Sequence, residues 1–212
     1  MYSICAVIPA YNEEKTIGSV INAVEKVDLI ENIIVVNDGS SDNTSEIANS
    51  YSSVTVIELK YNMGKSEAVK KAVELSKDDI ILLLDADLVG LTSRHVTNLI
   101  LPMFTDDLDM TIGLFSNGRF ITDLGQLITP YLTGQRAVKR SIIEDIKDIN
   151  MTRFGLEIAL TEYVNYNNLK TKEVILENLT HVMKEEKMGV ICGFKERLKM
   201  YRDIVKYKFR HY

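Results

Sequence analysis

Along the first ninety residues, short aliphatic runs alternate with segments whose apolar positions recur every three or four residues. "SICAVIP" from Ser3 reads as a strand, and "EEKTIGSVINAVEKV" as a helix with Ile17, Val20, Ile21 and Val24 on one face. "NIIVVN" is a second strand, followed by a helix through "NTSEIANSY" that Ser41 or Asp42 can cap. "VTVIEL" is a third strand, "GKSEAVKKAVELS" a third helix and "DIILLLD" a fourth strand. Continuous aliphatic strands separated by helices predict a mostly parallel sheet with helices on both faces, an α/β, Rossmann-like architecture.

The pattern loosens after residue 91. "RHVTNLILPMF" reads as a helix and "DLDMTIGLF" as a strand. "SNGRFITDLGQLITPYLTG" is too polar and too interrupted by Gly118, Gly125, Pro130 and Gly134 for one element. Helical patterns follow over about Gln135–Ile149 and Thr152–Tyr166, and "TKEVILENLTHVM" reads as one or two strands. Phe194, Leu198, Tyr201 and Val205 give the C-terminal segment an amphipathic helical stripe. The expected organisation is one domain over 1–212, with a ligand-binding half at 1–90, a second half at 91–190 that completes the site, and the C-terminal helix at 191–212.

Composition narrows the classes. Of 212 residues, 46% are hydrophobic and 26% charged, which suits a globular core. The net charge of −5 argues against a general nucleic-acid binder. Charge is uneven, however: Phe194–Tyr212 carries seven Lys and Arg against Glu196 and Asp203. That basic helix either touches an anionic membrane surface or packs its apolar stripe on the domain or on a second copy of the chain. The start, "MYSICAVIPAYNEE", lacks the basic flank and cleavage site of a signal peptide. Two cysteines, Cys5 and Cys192, encode no disulfide framework, and a cytoplasmic location is expected.

Ligands of open parallel α/β sheets bind outside the carboxyl ends of the strands. Those ends here are "PAYNEE", "NDGSSD", "KYNMGKSE" and "DADL", all polar or turn-forming. Residues i and i+2 of an extended segment share a face, so Asp85 and Asp87 can point together. Two carboxylates that close are costly unless a cation joins them, and a divalent metal shared with a phosphate is one solution. A pair of solvated turn acids is the other. "GKSE" is not a phosphate-cradling P-loop, because the Gly-to-Gly-Lys spacing is missing.

Taken together, "VIPAYNEEKTIGSV", "VVNDGSSDNT", "NMGKSEAVKKAV" and "LLLDADL" resemble, in order and spacing, the nucleotide-sugar-binding half of family 2-type glycosyltransferases with the GT-A fold. The resemblance covers Val7 to Leu88. It implies a hexosyltransferase that uses a nucleotide-diphosphate sugar and a divalent Mg or Mn held through the D-x-D. By position, Pro9, Ala10, Tyr11 and Glu13 would border the base and ribose. Asp38 would face the base, Lys65 would lie near the nucleotide, Asp85 would touch the ribose and Asp87 would hold the metal. The chain departs from the family at Asn37-Asp38, where two acids are usual.

In the second half, "SNGRFITDLGQ", "YLTGQRAVKR", "RFGLEIALTEY" and "LTHVMK" resemble the subset containing glucosyl-3-phosphoglycerate synthase, with mannosylglycerate synthase a looser relative. That implies UDP-glucose or a near relative as donor and a small anionic or sugar-acid acceptor. Gly118, Arg119 and Thr122 would contact the acceptor, and Gly134, Gln135 and Arg136 would form a loop near the reacting sugar. Glu157 would face the acceptor hydroxyls, as base in an inverting reaction or as orienting group in a retaining one. His181 would be the second metal ligand. Two bland readings stand beside these: Glu157 as an exposed helix acid, and Arg136 as a surface partner of Glu144. His95 and His211 match no motif and read as solvated. The competing functions are transfer to a polyprenyl phosphate at a membrane and a catalytically silent nucleotide-binding module.

Overall fold

The computed structural model describes residues 2–115, 133–146 and 155–181. All of these except His181 fall in one compact unit, Met1–Thr180. Its centre is a seven-stranded sheet. Four strands come from the first half: β1 (Ile4–Ala10), β2 (Asn32–Asn37), β3 (Val54–Glu58) and β4 (Ile80–Leu83). Three come from the second half: β6 (Met110–Phe115), β7 (Arg136–Lys139) and β8 (Thr171–Leu176). The short β5 (Leu88–Val89) and β9 (Thr180–His181) form a separate two-stranded sheet.

The main sheet has the order β3-β2-β1-β4-β7-β6-β8, and β7 alone runs against its neighbours. The chain passes from β1 outward through β2 to β3, then returns to place β4 on the other side of β1. The gap between the carboxyl ends of β1 and β4 is therefore the topological switch point, where a crevice opens in such sheets.

Helices cover both faces because the inner strands β1, β2 and β4 are apolar on both sides. On one face, Ile17, Val20, Ile21 and Val24 of α1 (Ile17–Val24) and Val96, Leu99, Ile100 and Met103 of α4 (Ser93–Thr105) pack on Ile4, Ala6, Ile8, Val35, Ile80 and Leu82. The alternate residues Cys5, Val7, Ile34, Val36, Ile81 and Leu83 face the other way. They meet α3 (Lys65–Leu75), α5 (Arg140–Asp145) and α6 (Gly155–Tyr166) through Val69, Ala72, Ile142, Ile143, Leu156 and Leu160. The small α2 (Thr44–Asn49) follows β2, and Asp42 accepts the Thr44 N–H at 3.0 Å.

The structure corrects the helix expected over Gln135–Ile149. Residues 136–139 are instead the antiparallel strand β7, and the helix is only α5. The run "RAVK" is too short for its period to separate strand from helix. Pairing decides it: Arg136 lies opposite Leu83 and Ile112, so β7 closes the gap between β4 and β6. The two-strand reading of "TKEVILENLTHVM" holds as β8 and β9. The expected C-terminal helix lies outside the described residues. Among those described, no helix is long and apolar enough to cross a membrane.

Candidate active site

Two loops at the carboxyl ends of β1 and β2 are laced together. Asn12 N–H donates to Ser40 Oγ at 3.0 Å, and Asn12 Oδ1 accepts from Ser41 N–H at 2.8 Å. Glu13 N–H donates to Thr44 Oγ1 at 2.8 Å, Glu14 N–H to Asp42 Oδ2 at 3.1 Å, and Asn43 N–H to Glu14 Oε2 at 3.1 Å. The motif residues of "YNEE" and "SSDNT" thus serve each other's backbone. They leave Pro9 and Ala10 at the end of β1 and Tyr11, 47% exposed, at the rim.

Asp38 is buried, and its two oxygens accept the N–H groups of Met63 (2.7 Å) and Gly64 (2.9 Å). It anchors the loop that delivers Lys65. Gly39 lets that loop sit close: its φ is +71°, and a Cβ there would come within 2.7 Å of the Tyr61 carbonyl carbon. Asn37, where the family carries an acid, donates to Glu58 Oε2 at 2.6 Å and accepts from Ser40 N–H at 3.1 Å. The acid at this position comes from β3 instead.

Past the switch point the chemistry becomes ionic. Asp85 and Asp87 are partly exposed in the turn that follows β4, while Ala86 and Leu88 are buried. Lys65, the first residue of α3, donates to Asp85 Oδ1 at 2.5 Å and to Glu157 Oε1 at 2.6 Å. Gln135 Nε2 donates to the other Asp85 oxygen at 2.7 Å, and Thr133 Oγ1 reaches Gln135 Oε1 at 2.8 Å. Burial alone would pull the Lys65 ammonium down. The charges of Asp85 and Glu157, with their hydrogen bonds, outweigh it and hold Lys65 well above the ordinary lysine range.

Gly134 sits directly over this pair. A Cβ there would fall 2.5 Å from Asp85 Oδ2 and 2.6 Å from Oδ1, and would also strike Lys65 Nζ. Only glycine lets the loop backbone approach so closely. Glu157, on the first turn of α6, is 4% exposed, which excludes the exposed-acid reading. Its Oε2 is buried and has no hydrogen-bond partner among the described residues. Such an oxygen is costly unless a ligand hydroxyl or another donor completes it.

Arg136 differs from both expectations. It is not part of the loop near a reacting sugar, nor does it pair with Glu144. It is wholly buried in β7, and Arg140 makes the Glu144 pair at 2.9 Å. His95 is not simply solvated either: it closes a capping box on α4, with Thr92 N–H donating to its Nδ1 at 3.3 Å. The Thr-x-x-His spacing carried that signal. Thr133 and Thr161, which link these groups, lie within "YLTGQRAVKR" and "RFGLEIALTEY" but carry no role in the motif reading. Gly118, Arg119 and Thr122 lie outside the described residues. So does the His181 side chain, although its backbone belongs to β9.

Among the described residues, no three acids, histidines or cysteines cluster into a ready-made metal cage.

An acid pair at the switch point of a mostly parallel sheet, backed by a lysine shared with a buried glutamate, defines an α/β enzyme of the nucleotide-binding kind. The chain belongs to glycosyl transferase family 2, whose sequence pattern matches residues 5–159. It has the GT-A fold and the activity class of a glycosyltransferase. It is 30% identical to an uncharacterised protein of Methanocaldococcus jannaschii over 93% of this chain and 90% of that one. It is 24% identical to a dolichyl-phosphate beta-glucosyltransferase of Dictyostelium discoideum over 97% of this chain and 73% of that one. Glucosyl-3-phosphoglycerate synthase from Mycobacterium tuberculosis, in complex with Mn2+, UDP-glucose and phosphoglyceric acid, has a TM-score of 0.73 and 26% identity, over 85% of this chain and 72% of that one.

Proposed function

We propose that this glycosyltransferase moves glucose from UDP-glucose to a small anionic acceptor of the phosphoglycerate type, with Mn2+ or Mg2+. The observation that carries the reading is the Lys65–Asp85–Glu157 knot at the switch point, with Glu157 Oε2 left for a ligand hydroxyl. The similarity to a synthase that binds those ligands supports it.

In this reading the nucleotide lies along the laced loops, with its base near Tyr11, Glu13 and Asp38 and its ribose near Asp85. Asp87 and His181 would hold the metal. A divalent ion there offsets the charge of the departing diphosphate. Lys65 holds Asp85 and Glu157 in place through its two ion pairs. Glu157 Oε2 accepts a hydrogen bond from a substrate hydroxyl, and Gly134 admits the sugar ring over Asp85. Arg119, with its two-pronged donor fork, suits the acceptor's carboxylate or phosphate.

Incubation with UDP-glucose, Mn2+ and 3-phosphoglycerate, read by product mass, tests the reading. A product heavier than the acceptor by one hexose supports it. Absence of transfer, with the folded protein and metal present, removes this acceptor. The similarity to a dolichyl-phosphate beta-glucosyltransferase over 97% of this chain and 73% of that one favours a second reading, a polyprenyl-phosphate acceptor. The same assay with a polyprenyl phosphate in vesicles separates the two.

A further inference from the structure

Arg136 is the largest fully buried side chain of the described residues, and the motif reading gave it no such place. Burying a guanidinium is expensive unless its surroundings repay it. Burial pulls its pKa down to about 10, with the Glu157 charge opposing, so it remains a cation at neutral pH. Its Nε donates to the Thr133 carbonyl at 3.0 Å, and its Nη1 to Thr161 Oγ1 at 2.8 Å and to Met110 Sδ at 3.7 Å.

These partners lie on two different walls of the site. Thr133 begins the segment that carries Gly134 and Gln135, and its own hydroxyl lies within 2.8 Å of Gln135 Oε1. Gln135 in turn holds Asp85. Thr161 lies one turn after Glu157 on α6 and donates back to the Glu157 carbonyl at 2.8 Å. One planar, rigid side chain therefore ties the Asp85 wall to the Glu157 wall, which Lys65 also joins through its two ion pairs. A flexible residue could make either contact, but the fork fixes both directions at once.

We propose that Arg136 is a positioning residue: a strut that sets the gap between the Gly134–Gln135 loop and Glu157, and so aligns the substrate hydroxyl without touching it. Its effect on turnover rests on the glycosyltransferase reading above. Its effect on the two walls does not.

The test uses Arg136→Met, Arg136→Lys, Thr161→Val and the Met/Val double variant of the full chain. A long apolar side chain commonly replaces a buried charge without loss of fold, which circular dichroism checks. With UDP-glucose and Mn2+, Arg136→Met should lower kcat by about 30-fold or more, the scale of a sub-ångström misplacement. KM for the donor and calorimetric UDP affinity should change by less than about fivefold, because the laced loops stay in place and only Asp85, held through Gln135, can shift. Arg136→Lys, which keeps the charge and one contact, should recover part of kcat. Thr161→Val should cost about 10-fold alone and nothing further beside Arg136→Met, because both cut the same strut.

A folded Arg136→Met with wild-type kcat, or losses that multiply in the double variant, would overturn the proposal. Should Arg136→Met fail to fold, Thr161→Val decides in the same terms. Amide hydrogen exchange decides it without substrate. Exchange at 134–136 and 159–161 should quicken in the variant while α1 is unchanged, and equal protection contradicts the strut. A wild type that transfers no glucose, together with quickened exchange in the variant, would sink the proposed substrates and leave the strut standing.

Discussion

Strand β4 is bracketed by two pairs of acids, "DD" before it and "DAD" after it, and the two ends treat them differently. At the entry end, Asp78 accepts from Asn32 Nδ2 at 3.1 and 3.2 Å and from Ser76 Oγ at 2.7 Å. Asp79 accepts from the Ser3 N–H at 3.0 Å and hydroxyl at 3.2 Å. Every one of these donors is neutral, and together they stitch β1, β2 and β4 at their starts. A depression of about 510 Å³ opens there beside Ser3, Asn32, Ser76 and Asp78. At the exit end, Asp85 shares a lysine with a glutamate 72 residues further along, and that glutamate keeps one buried oxygen without a donor among the described residues. Acids alone therefore mark nothing. A satisfied pair with neutral partners builds the fold, while a cation-bridged pair with an orphaned neighbour is built to receive something.

The sharpest way to break this comparison is to empty the exit end. Glu157→Ala leaves Lys65 half-compensated and removes the ligand-facing oxygen. Glucose transfer should fall by about 1,000-fold or more, of the order seen when a charged stabilising group is lost. Circular dichroism and product mass together check it, and a folded variant with more than a tenth of wild-type activity would contradict the role. Gly134→Ala comes next. Its methyl group would collide with Asp85 and Lys65, and the displaced walls should cost about 100-fold in turnover with a small fall in Tm.

At the entry end the signs reverse. Asp78→Ala should cost about 1–3 kcal/mol of stability by stranding Asn32 and Ser76, and leave kcat of the remaining folded enzyme unchanged. Denaturant unfolding beside a turnover assay reads both. The smallest effect belongs to Asp109, which accepts from Lys139 Nζ at 2.8 Å and from the Lys170 N–H at 2.9 Å. Burial works to raise its pKa, but these donors prevail and hold it below the ordinary aspartate range. A depressed acid stabilises the fold above its unfolded value and loses that contribution as pH falls through the folded one. Asp109→Asn should thus lower stability by about 1 kcal/mol or less at pH 7, with the gap to wild type closing on acidification below about pH 4. A gap that persists at low pH would mean the lost contact is not electrostatic.

Much of the first half was legible in the sequence, because its signals are local. Aliphatic runs gave β1 to β4, and periodic stripes gave α1 and α3. Lys65 stood out within "GKSE". The partnership of Lys65 with Glu157 spans 92 positions, and no spacing rule reaches that far. Arg136 was misplaced for the same reason. Whether four residues at 136–139 become a helix or a strand depended on an open slot between β4 and β6, which is a property of the whole sheet. Asp38 and Glu14 carry motif positions, yet the contacts they make hold backbone, and such roles emerge only when both loops are in place.

We propose that the exit end of β4 binds a nucleotide sugar through Asp87 and a divalent metal. Calorimetric titration of UDP-glucose into the wild type and Asp87→Ala, each with and without Mn2+, tests it most directly. The account predicts Mn2+-dependent binding to the wild type, and loss of that dependence in a variant that keeps its fold. Tight, Mn2+-dependent binding retained by Asp87→Ala would contradict the metal assignment, and no binding to the folded wild type under any condition would contradict UDP-glucose as the donor.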